Sequence, residues 1–128
     1  MTIAQVSKKY GITADTLRYY ERVGLIPRVN RNKSGIRYYT NYDCNWVEFI
    51  KCMRSAGLPI EVLREYVELY KQGDSTVEAR MQLLIDQRRQ LAARMEEMRA
   101  TLARLDYKIE MYGRKEALKQ KYYTEQAK

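Results

Sequence analysis

The second half of the chain carries an apolar pattern that few folds can accommodate. Between residues 81 and 112, apolar side chains recur at alternating spacings of three and four, and nine of the ten positions in this seam are apolar. A seam this regular over more than four heptads predicts a coiled-coil helix. The seam positions are Met81, Leu84, Arg88, Leu91, Met95, Met98, Leu102, Leu105, Ile109 and Tyr112.

A helix that carries the whole seam would be about 50 Å long, and so narrow a stripe cannot pack on a compact body. The seam therefore requires a partner helix, and a second copy of the chain is the simplest one. Arg88 is the polar exception, and a polar core residue can fix register or orientation at a cost in stability. We assign residues 76–112 to dimerisation and residues 113–128 to a C-terminal tail.

The first half of the chain is predicted to form short helices. Thr2 is a plausible N-cap for one helix that ends at Gly11, and Thr13 for a second that ends at about Val23. Two short helices joined by a glycine-containing turn are typical of a helix-turn-helix, here about residues 3–23.

Turn residues and cations interrupt the pattern over residues 27–39. We predict a β-wing there, with short strands at Arg28–Asn30 and Ile36–Tyr39 around a polar turn. A helix pair follows over residues 41–71, the first helix beginning at Asn41 or Asp43. Residues 73–76 look like a linker. The predicted fold is thus mainly α, a winged helix-turn-helix of four helices over residues 1–71 followed by a long dimerisation helix.

Positive charge concentrates in the first half. The chain has a formal charge of +8, and residues 1–58 hold 10 Lys and Arg against 4 Asp and Glu. Arginine stands beside tyrosine twice in this half, and guanidinium and phenol groups suit phosphate contacts and groove-edge hydrogen bonds. Double-stranded DNA is therefore the expected partner. The candidate DNA-binding residues are Thr13, Thr16, Arg18, Tyr19, Tyr20, Arg37 and Tyr38.

Some of these aromatic residues and cations have a structural alternative. Adjacent helical residues point about 100° apart, so either Tyr19 or Tyr20 could belong to the core. Tyr39 is predicted to be a core residue. Arg31 and Lys33 at the wing tip could contact DNA or simply be solvated turn charges.

Other classes of site are disfavoured. No apolar run approaches the roughly 20 residues that a membrane span needs, and no signal peptide is evident, so we expect a cytoplasmic protein without a membrane partner. The chain has no histidine. Cys44 and Cys52 would lie about 12 Å apart on one helix, too far for a disulfide. No metal and no cofactor are predicted.

Several spaced motifs resemble the MerR family of bacterial transcription regulators. The resemblance covers residues 1–70 almost without a gap, and the trailing coiled coil extends it to about residue 112. The motifs are Thr2-Ile3-Ala4-Gln5-Val6, Thr16-Leu17-Arg18-Tyr19-Tyr20-Glu21 with Gly24-Leu25, Arg37-Tyr38-Tyr39 and Gly57-Leu58-Pro59-Ile60.

This resemblance implies a winged helix-turn-helix homodimer joined by antiparallel coiled-coil helices. Such dimers bind pseudo-palindromic promoters whose spacer is too long for RNA polymerase. They distort that spacer, so that RNA polymerase can engage the promoter elements; the effect on the polymerase is indirect, through DNA shape. By position, Thr16, Arg18 and Tyr19 would belong to the recognition helix and Tyr20 would lie near the backbone. Arg37 and Tyr38 would form the phosphate grip of the wing.

The resemblance also bears on the signal that is sensed. Metal-sensing members carry cysteine or histidine around the dimerisation helix, and residues 73–128 contain neither. The stretch 49–57 resembles the subgroup that responds to aldehydes, nitric oxide and related electrophiles, in which one cysteine is the proposed sensor. Cys52 is therefore the candidate sensor, with Lys51 and Arg54 favouring its thiolate.

Alternatives remain at the level of sequence. Cys52 could be a packed, inert residue, with a small effector bound non-covalently or none at all. Cys44 is expected to be a neutral surface or interface residue. A coiled-coil adaptor would leave the paired arginine-tyrosine segments unexplained. A thiol enzyme would lack a histidine base and an acidic pair, so we do not expect an enzyme.

Overall fold

Five α-helices and one short 3-10 turn account for most of the chain. The structure is a computed structural model and describes residues 1–126. The helices are α1 (Ile3–Tyr10), α2 (Ala14–Arg22), α3 (Asn41–Ser55), α4 (Ile60–Lys71) and α5 (Val77–Gln126), with the 3-10 turn at Asp74–Thr76. The chain forms two units, Met1–Gln87, called the head below, and the part from Arg88 onward.

The first two helices begin where capping chemistry predicts. Thr2 Oγ1 accepts a hydrogen bond from Gln5 N at 3.2 Å, while Gln5 Oε1 accepts one from Thr2 N at 2.9 Å. Gly11 then ends α1 with a φ of 65°, a left-handed conformation that glycine adopts without penalty. Thr13 Oγ1 accepts from Thr16 N at 3.1 Å. The helix-turn-helix start signals are thus confirmed.

Helix α3 begins at Asn41, one of the two predicted starts. Thr40 caps this helix, and its partner in the capping box is Asp43, which is buried. Asp43 Oδ2 accepts from Thr40 N at 2.9 Å. Burial of a carboxylate is tolerated here because backbone and hydroxyl donors satisfy it.

The core of the head draws on all four short helices and the wing. Its fully buried side chains give the head one apolar centre, and each such residue contributes roughly 1.5–3 kcal/mol of burial free energy. Tyr39 is only 1% exposed, which agrees with its predicted core role. The largest fully buried residues are Tyr39, Leu17, Leu25, Ile26, Ile50, Leu63, Val6, Val29, Val47 and Val67.

The wing is an irregular hairpin, and the predicted strands Arg28–Asn30 and Ile36–Tyr39 are wrong. A single antiparallel bridge joins Arg31 and Arg37. Asn32 explains the short pairing, because its side-chain oxygen accepts hydrogen bonds from the backbone of Ser34 and Ile36 at 2.9 and 3.0 Å. A side chain that takes up these donors shapes a turn in place of a longer ladder.

The stretch that resembles a linker is an ordered connection. Thr76 is buried, and its hydroxyl donates to the carbonyl oxygen of Leu69 at 2.6 Å. Arg80 Nε donates to Thr76 Oγ1 at 3.1 Å, so the first turn of α5 joins the same network. The head consequently continues past residue 71 as far as Gln87.

In the single chain, most of the predicted dimerisation seam is an exposed stripe on α5, and Leu84 and Leu91 are half-buried. Met98 is 71% exposed and Ile109 is 68% exposed. The helix does not end at residue 112, since residues 113–126 of the predicted tail are also helical. Residues 127 and 128 of that tail lie outside the described residues. No helix within residues 1–126 is long and apolar enough to cross a membrane.

Candidate nucleic-acid interface

Helix α2 presents the predicted recognition residues. The hydroxyl of Thr13 donates to Thr16 Oγ1 at 2.8 Å, which fixes both threonines at the start of the helix. Arg18 Nη1 lies 2.9 Å from Asp15 Oδ1, and both side chains are exposed. An exposed pair of this kind contributes little stability, so Arg18 can exchange Asp15 for a phosphate or a base edge at small cost.

The two tyrosines of α2 have different environments. Tyr20 is 9% exposed and belongs to the core, whereas Tyr19 is half-buried at its edge. Burial raises the pKa of Tyr20 above its ordinary value, and Arg54 opposes the shift. A DNA contact by Tyr20 is therefore confined to a small exposed part of the residue. The guanidinium of Arg22 lies 5.5 Å from the ring centroid of Tyr19, which adds a cation beside this tyrosine.

Glu21 joins the wing to the recognition helix, a role that the sequence did not suggest. Its Oε1 accepts from Arg37 Nε at 2.7 Å, and its Oε2 accepts from the backbone of Val29 at 3.3 Å. The two side chains are mostly buried, at 13% and 23% exposed for Glu21 and Arg37. An acidic residue within a basic segment was the available signal, since such a residue often pairs with one of its cations.

The wing residues divide between structure and surface. Arg37 commits its Nε to Glu21, so a phosphate contact would use the terminal nitrogens of its guanidinium. Tyr38 is 54% exposed beside it. At the wing tip, Arg31 Nη1 donates to the carbonyl oxygen of Gly35 at 2.9 Å and shapes the turn, while Lys33 is exposed.

The two cysteines lie in different environments. Cys44 is 4% exposed in the core, so its prediction as a surface or interface residue is wrong, and Cys52 is exposed. The reason is geometric, because eight residues along a helix turn the side chain by about 80° beyond two full turns. The alternative in which Cys52 is packed in the core of the single chain does not agree with its exposure.

Two cations flank Cys52, and both are tied to backbone carbonyls. Lys51 Nζ donates to the carbonyl oxygen of Tyr10, at the turn between α1 and α2. Arg54 Nη1 donates to the carbonyl oxygen of Leu58 at 2.7 Å, beyond the end of α3. The segment that carries Cys52 is therefore connected to the helix-turn-helix on one side and to the α3–α4 turn on the other.

The comparisons with known proteins agree with this architecture. The family described as MerR HTH family regulatory protein matches residues 1–69. The chain belongs to the MerR family. A second family, described as MerR, DNA binding, matches residues 45–107 and so extends into the long helix. This MerR protein is accordingly a DNA-binding transcription regulator of the helix-turn-helix type.

Individual relatives cover different parts of this MerR protein. The HTH-type transcriptional regulator AdhR of Bacillus subtilis is 63% identical over 91 residues, which are 71% of this chain and 65% of the relative. A crystal structure of a MerR family regulator from Listeria monocytogenes is 47% identical, with a TM-score of 0.86 over 88% of this chain and 85% of that one.

A third relative is a solved protein–DNA complex. HiNmlR, a MerR family regulator lacking the sensor domain, is bound to promoter DNA in that structure. It is 32% identical to this chain, with a TM-score of 0.82 over 91% of this chain and 93% of its own. The predicted mainly helical fold, with a MerR-type head and a long C-terminal helix, is confirmed.

Proposed function

We propose that the protein acts in the bacterial cytoplasm as a homodimer that binds a pseudo-palindromic promoter and activates transcription by distorting the spacer DNA. One observation carries this proposal: Glu21 joins the wing to α2, which bears the exposed Arg18, through Arg37 and Val29. Two DNA-contacting elements held in one geometry can impose a shape on the duplex as well as read it. RNA polymerase then responds to the altered DNA and needs no contact with the protein.

The dimer follows from the exposed seam on α5. Two seams that pack against each other remove apolar surface from water, and a two-fold dimer carries two recognition helices. Helix-turn-helix dimers bind half-sites about one helical turn apart, or multiples of it, so the operator should be pseudo-palindromic. Dimerisation residues are those of the seam, from Met81 to Tyr112.

DNA binding is tested by fluorescence anisotropy with a labelled promoter fragment from beside the gene. We expect tight specific binding. The logarithm of the association constant should fall linearly with the logarithm of the salt concentration, because phosphate contacts release counterions. Equal affinity for a scrambled fragment at every salt concentration would rule out sequence-specific regulation. Capture of a protein partner, insensitive to salt and without a DNA shift, would indicate the coiled-coil adaptor.

We infer that Cys52 is the sensor of an aldehyde or related electrophile. Its exposure makes the sulfur reachable, and the thiolate is the form of a cysteine that attacks an electrophile. Addition to an aldehyde forms a carbon–sulfur bond, breaks the carbonyl π bond and leaves the proton on the new hydroxyl. An adduct at this place adds bulk beside Lys51, whose bond to Tyr10 links α3 to the helix-turn-helix.

The decisive variant is Cys52→Ser, with Cys44→Ala as the matched control that removes the buried thiol. We expect Cys52→Ser to keep DNA binding and lose aldehyde-induced transcription, while Cys44→Ala keeps both. Intact mass after aldehyde treatment should show one adduct, absent in Cys52→Ser. Undiminished induction in Cys52→Ser would refute the thiol sensor and favour a non-covalent effector.

A further inference from the structure

An aromatic cavity opens on the head between α3 and α4. Its volume is about 280 Å³, close to the lower end of the roughly 300–1,000 Å³ typical of small-molecule sites. Helix α3 supplies four of the lining residues and α4 supplies two. They are Tyr42, Asn45, Trp46, Phe49, Tyr66 and Tyr70. We call this the aromatic cavity.

Crossed rings surround Trp46 in the aromatic cavity. Trp46 stands edge-to-face to Tyr70, with ring centroids 5.0 Å apart, and edge-to-face to Phe49 at 6.1 Å. Phe49 and Tyr66 are tilted by 34° at 5.5 Å. Aromatic pairs favour the edge-to-face geometry of the two Trp46 contacts, in which the rings do not form a closed stack. The site therefore offers ring surface to a flat guest.

The charges around the aromatic cavity favour a neutral guest. None of its six lining residues is charged, so the cavity wall itself offers no counter-charge to an ionic guest. The guanidinium of Arg80 already lies 5.1 Å from the ring centroid of Tyr70, so an organic cation would meet a like charge there. Asn45 adds a carboxamide that can donate to a carbonyl oxygen. A flat, uncharged compound with one carbonyl group matches this set.

The aromatic cavity lies next to the candidate sensor along α3. Cys52 follows Phe49 by three residues, and side chains at that spacing share a helix face with Cβ atoms about 5–6 Å apart. The Cys52 thiol is exposed. A guest held against Phe49 could thus extend toward the sulfur within one helical turn.

We propose that the aromatic cavity binds planar, conjugated carbonyl compounds and presents them to Cys52; this rests on the proposed sensor role of that residue. The thiolate sulfur adds to the β-carbon of an α,β-unsaturated carbonyl compound, forming a carbon–sulfur bond. The carbon–carbon π bond breaks, its electron pair moves to the carbonyl oxygen as an enolate, and a proton from water is finally held by the α-carbon. No oxidant or reductant is needed.

The test compares cinnamaldehyde with crotonaldehyde, an aliphatic compound that has the same reactive group. Adduct formation on the full-length protein is followed by mass spectrometry, and each rate is divided by the rate of the same aldehyde with glutathione. We expect cinnamaldehyde to show saturation and a normalised rate at least about tenfold higher, equivalent to about 1.4 kcal/mol of binding. Tyr66→Leu should remove most of this advantage, and Tyr107→Leu on α5 should retain it.

A second measurement needs no variant. Trp46 is the single tryptophan of the chain, so its fluorescence reports directly on the aromatic cavity. We expect saturable quenching by 3-phenylpropan-1-ol, which lacks an electrophilic carbon, and none by benzyltrimethylammonium. Quenching by the ammonium compound alone would overturn the proposed ligand class.

Equal normalised rates for the two aldehydes, with no effect of the alcohol on Trp46, would overturn the cavity proposal. The thiol sensor would survive that result if Cys52→Ser still abolished induction. Quenching by the alcohol together with full induction in Cys52→Ser would instead overturn the thiol sensor, and with it the presentation step, while leaving a non-covalent site. The two proposals thus fail by different outcomes.

Discussion

Arg37 Nε donates a 2.7 Å hydrogen bond to Glu21 Oε1, and this mostly buried pair connects the wing to the recognition helix. The second oxygen of the same carboxylate accepts from Val29 N on the other arm of the wing. One side chain therefore holds both arms. Since a charge left unpaired in such a place is costly, the pair makes the wing position depend on Glu21.

Loss of Glu21 should loosen the wing. We expect Glu21→Ala to lower the free energy of unfolding by about 1–3 kcal/mol, because Arg37 and Val29 N lose a charged acceptor. DNA affinity should fall as well. Chemical denaturation and anisotropy measure the two effects. Asp15→Asn is the control: it breaks an exposed pair and removes one charge from the first turn of α2, so it should lower stability by less than about 1 kcal/mol. Equal stability of Glu21→Ala and wild type would contradict the structural role of the pair.

Removal of Arg18 should weaken DNA binding without harming the fold. We expect Arg18→Ala to cost about 1–3 kcal/mol of specific binding, and the salt slope to fall by about one if the contact is to a phosphate. Melting temperature should stay near that of wild type, since the pair with Asp15 is exposed. Arg114→Ala, which removes an exposed arginine of α5, serves as control. Wild-type affinity and slope in Arg18→Ala would place the contact elsewhere.

A charge in the seam should separate the dimer. Leu105→Glu would bury a carboxylate in the interface, so we expect the dissociation constant of the dimer to rise by about a hundredfold or more. Ala103→Glu, two residues away and off the seam, introduces the same charge as a control and should remain dimeric. Analytical ultracentrifugation over a concentration series measures both. Dimeric Leu105→Glu would show that a different surface joins the subunits.

Tyr39 should make the folded protein less stable at alkaline pH. Burial, followed by the nearby Glu21, raises the pKa of Tyr39 above its ordinary value of 10.0. The folded protein thus keeps a proton that the unfolded chain releases. The contribution of this retained proton to the free energy of unfolding is fully present below about pH 10. It is lost as pH rises through the raised pKa of Tyr39 in the folded state.

Tyr39→Phe isolates this effect. Among the residues that the structure describes, none accepts from or donates to the buried Tyr39 hydroxyl. Its removal should leave stability at pH 7 unchanged or raise it by up to about 1 kcal/mol, and should flatten the decline above pH 10. Denaturation curves between pH 7 and 11 provide the measurement. Tyr107→Phe, on the exposed part of α5, is the control for loss of an exposed hydroxyl; Tyr20, whose pKa burial also raises, still contributes to the decline in Tyr39→Phe. A marked loss of stability at pH 7 in Tyr39→Phe would indicate that this hydroxyl donates a hydrogen bond.

Local signals explain the features that the sequence predicted well. Thr2 and Thr13 cap helices through contacts only three residues away, and Gly11 ends α1 through its own backbone conformation. The apolar face of α3 around Trp46 and Ile50 follows from helical spacing in the same way. Each of these depends on a short stretch of chain, so no knowledge of distant residues was needed.

Predictions failed where distant residues compete for the same groups. The wing strands failed because Asn32 takes up backbone donors that a ladder would use. Glu21 was overlooked because its partner lies sixteen residues away, and no spacing rule connects a helix end with a hairpin. The aromatic cavity was not predicted either, because it forms only where α3 and α4 pack side by side.

The sequence by itself determined the class of protein: a MerR-type head with caps, turn glycines and basic residues, and a long helix whose apolar seam demands a partner. These properties are encoded by neighbours along the chain and by periodicity. Only the tertiary structure decided that Cys44 is buried and Cys52 is exposed, that Tyr20 belongs to the core, and that Glu21 holds the wing. Burial depends on which helix faces meet, and that is a property of packing between segments far apart in sequence.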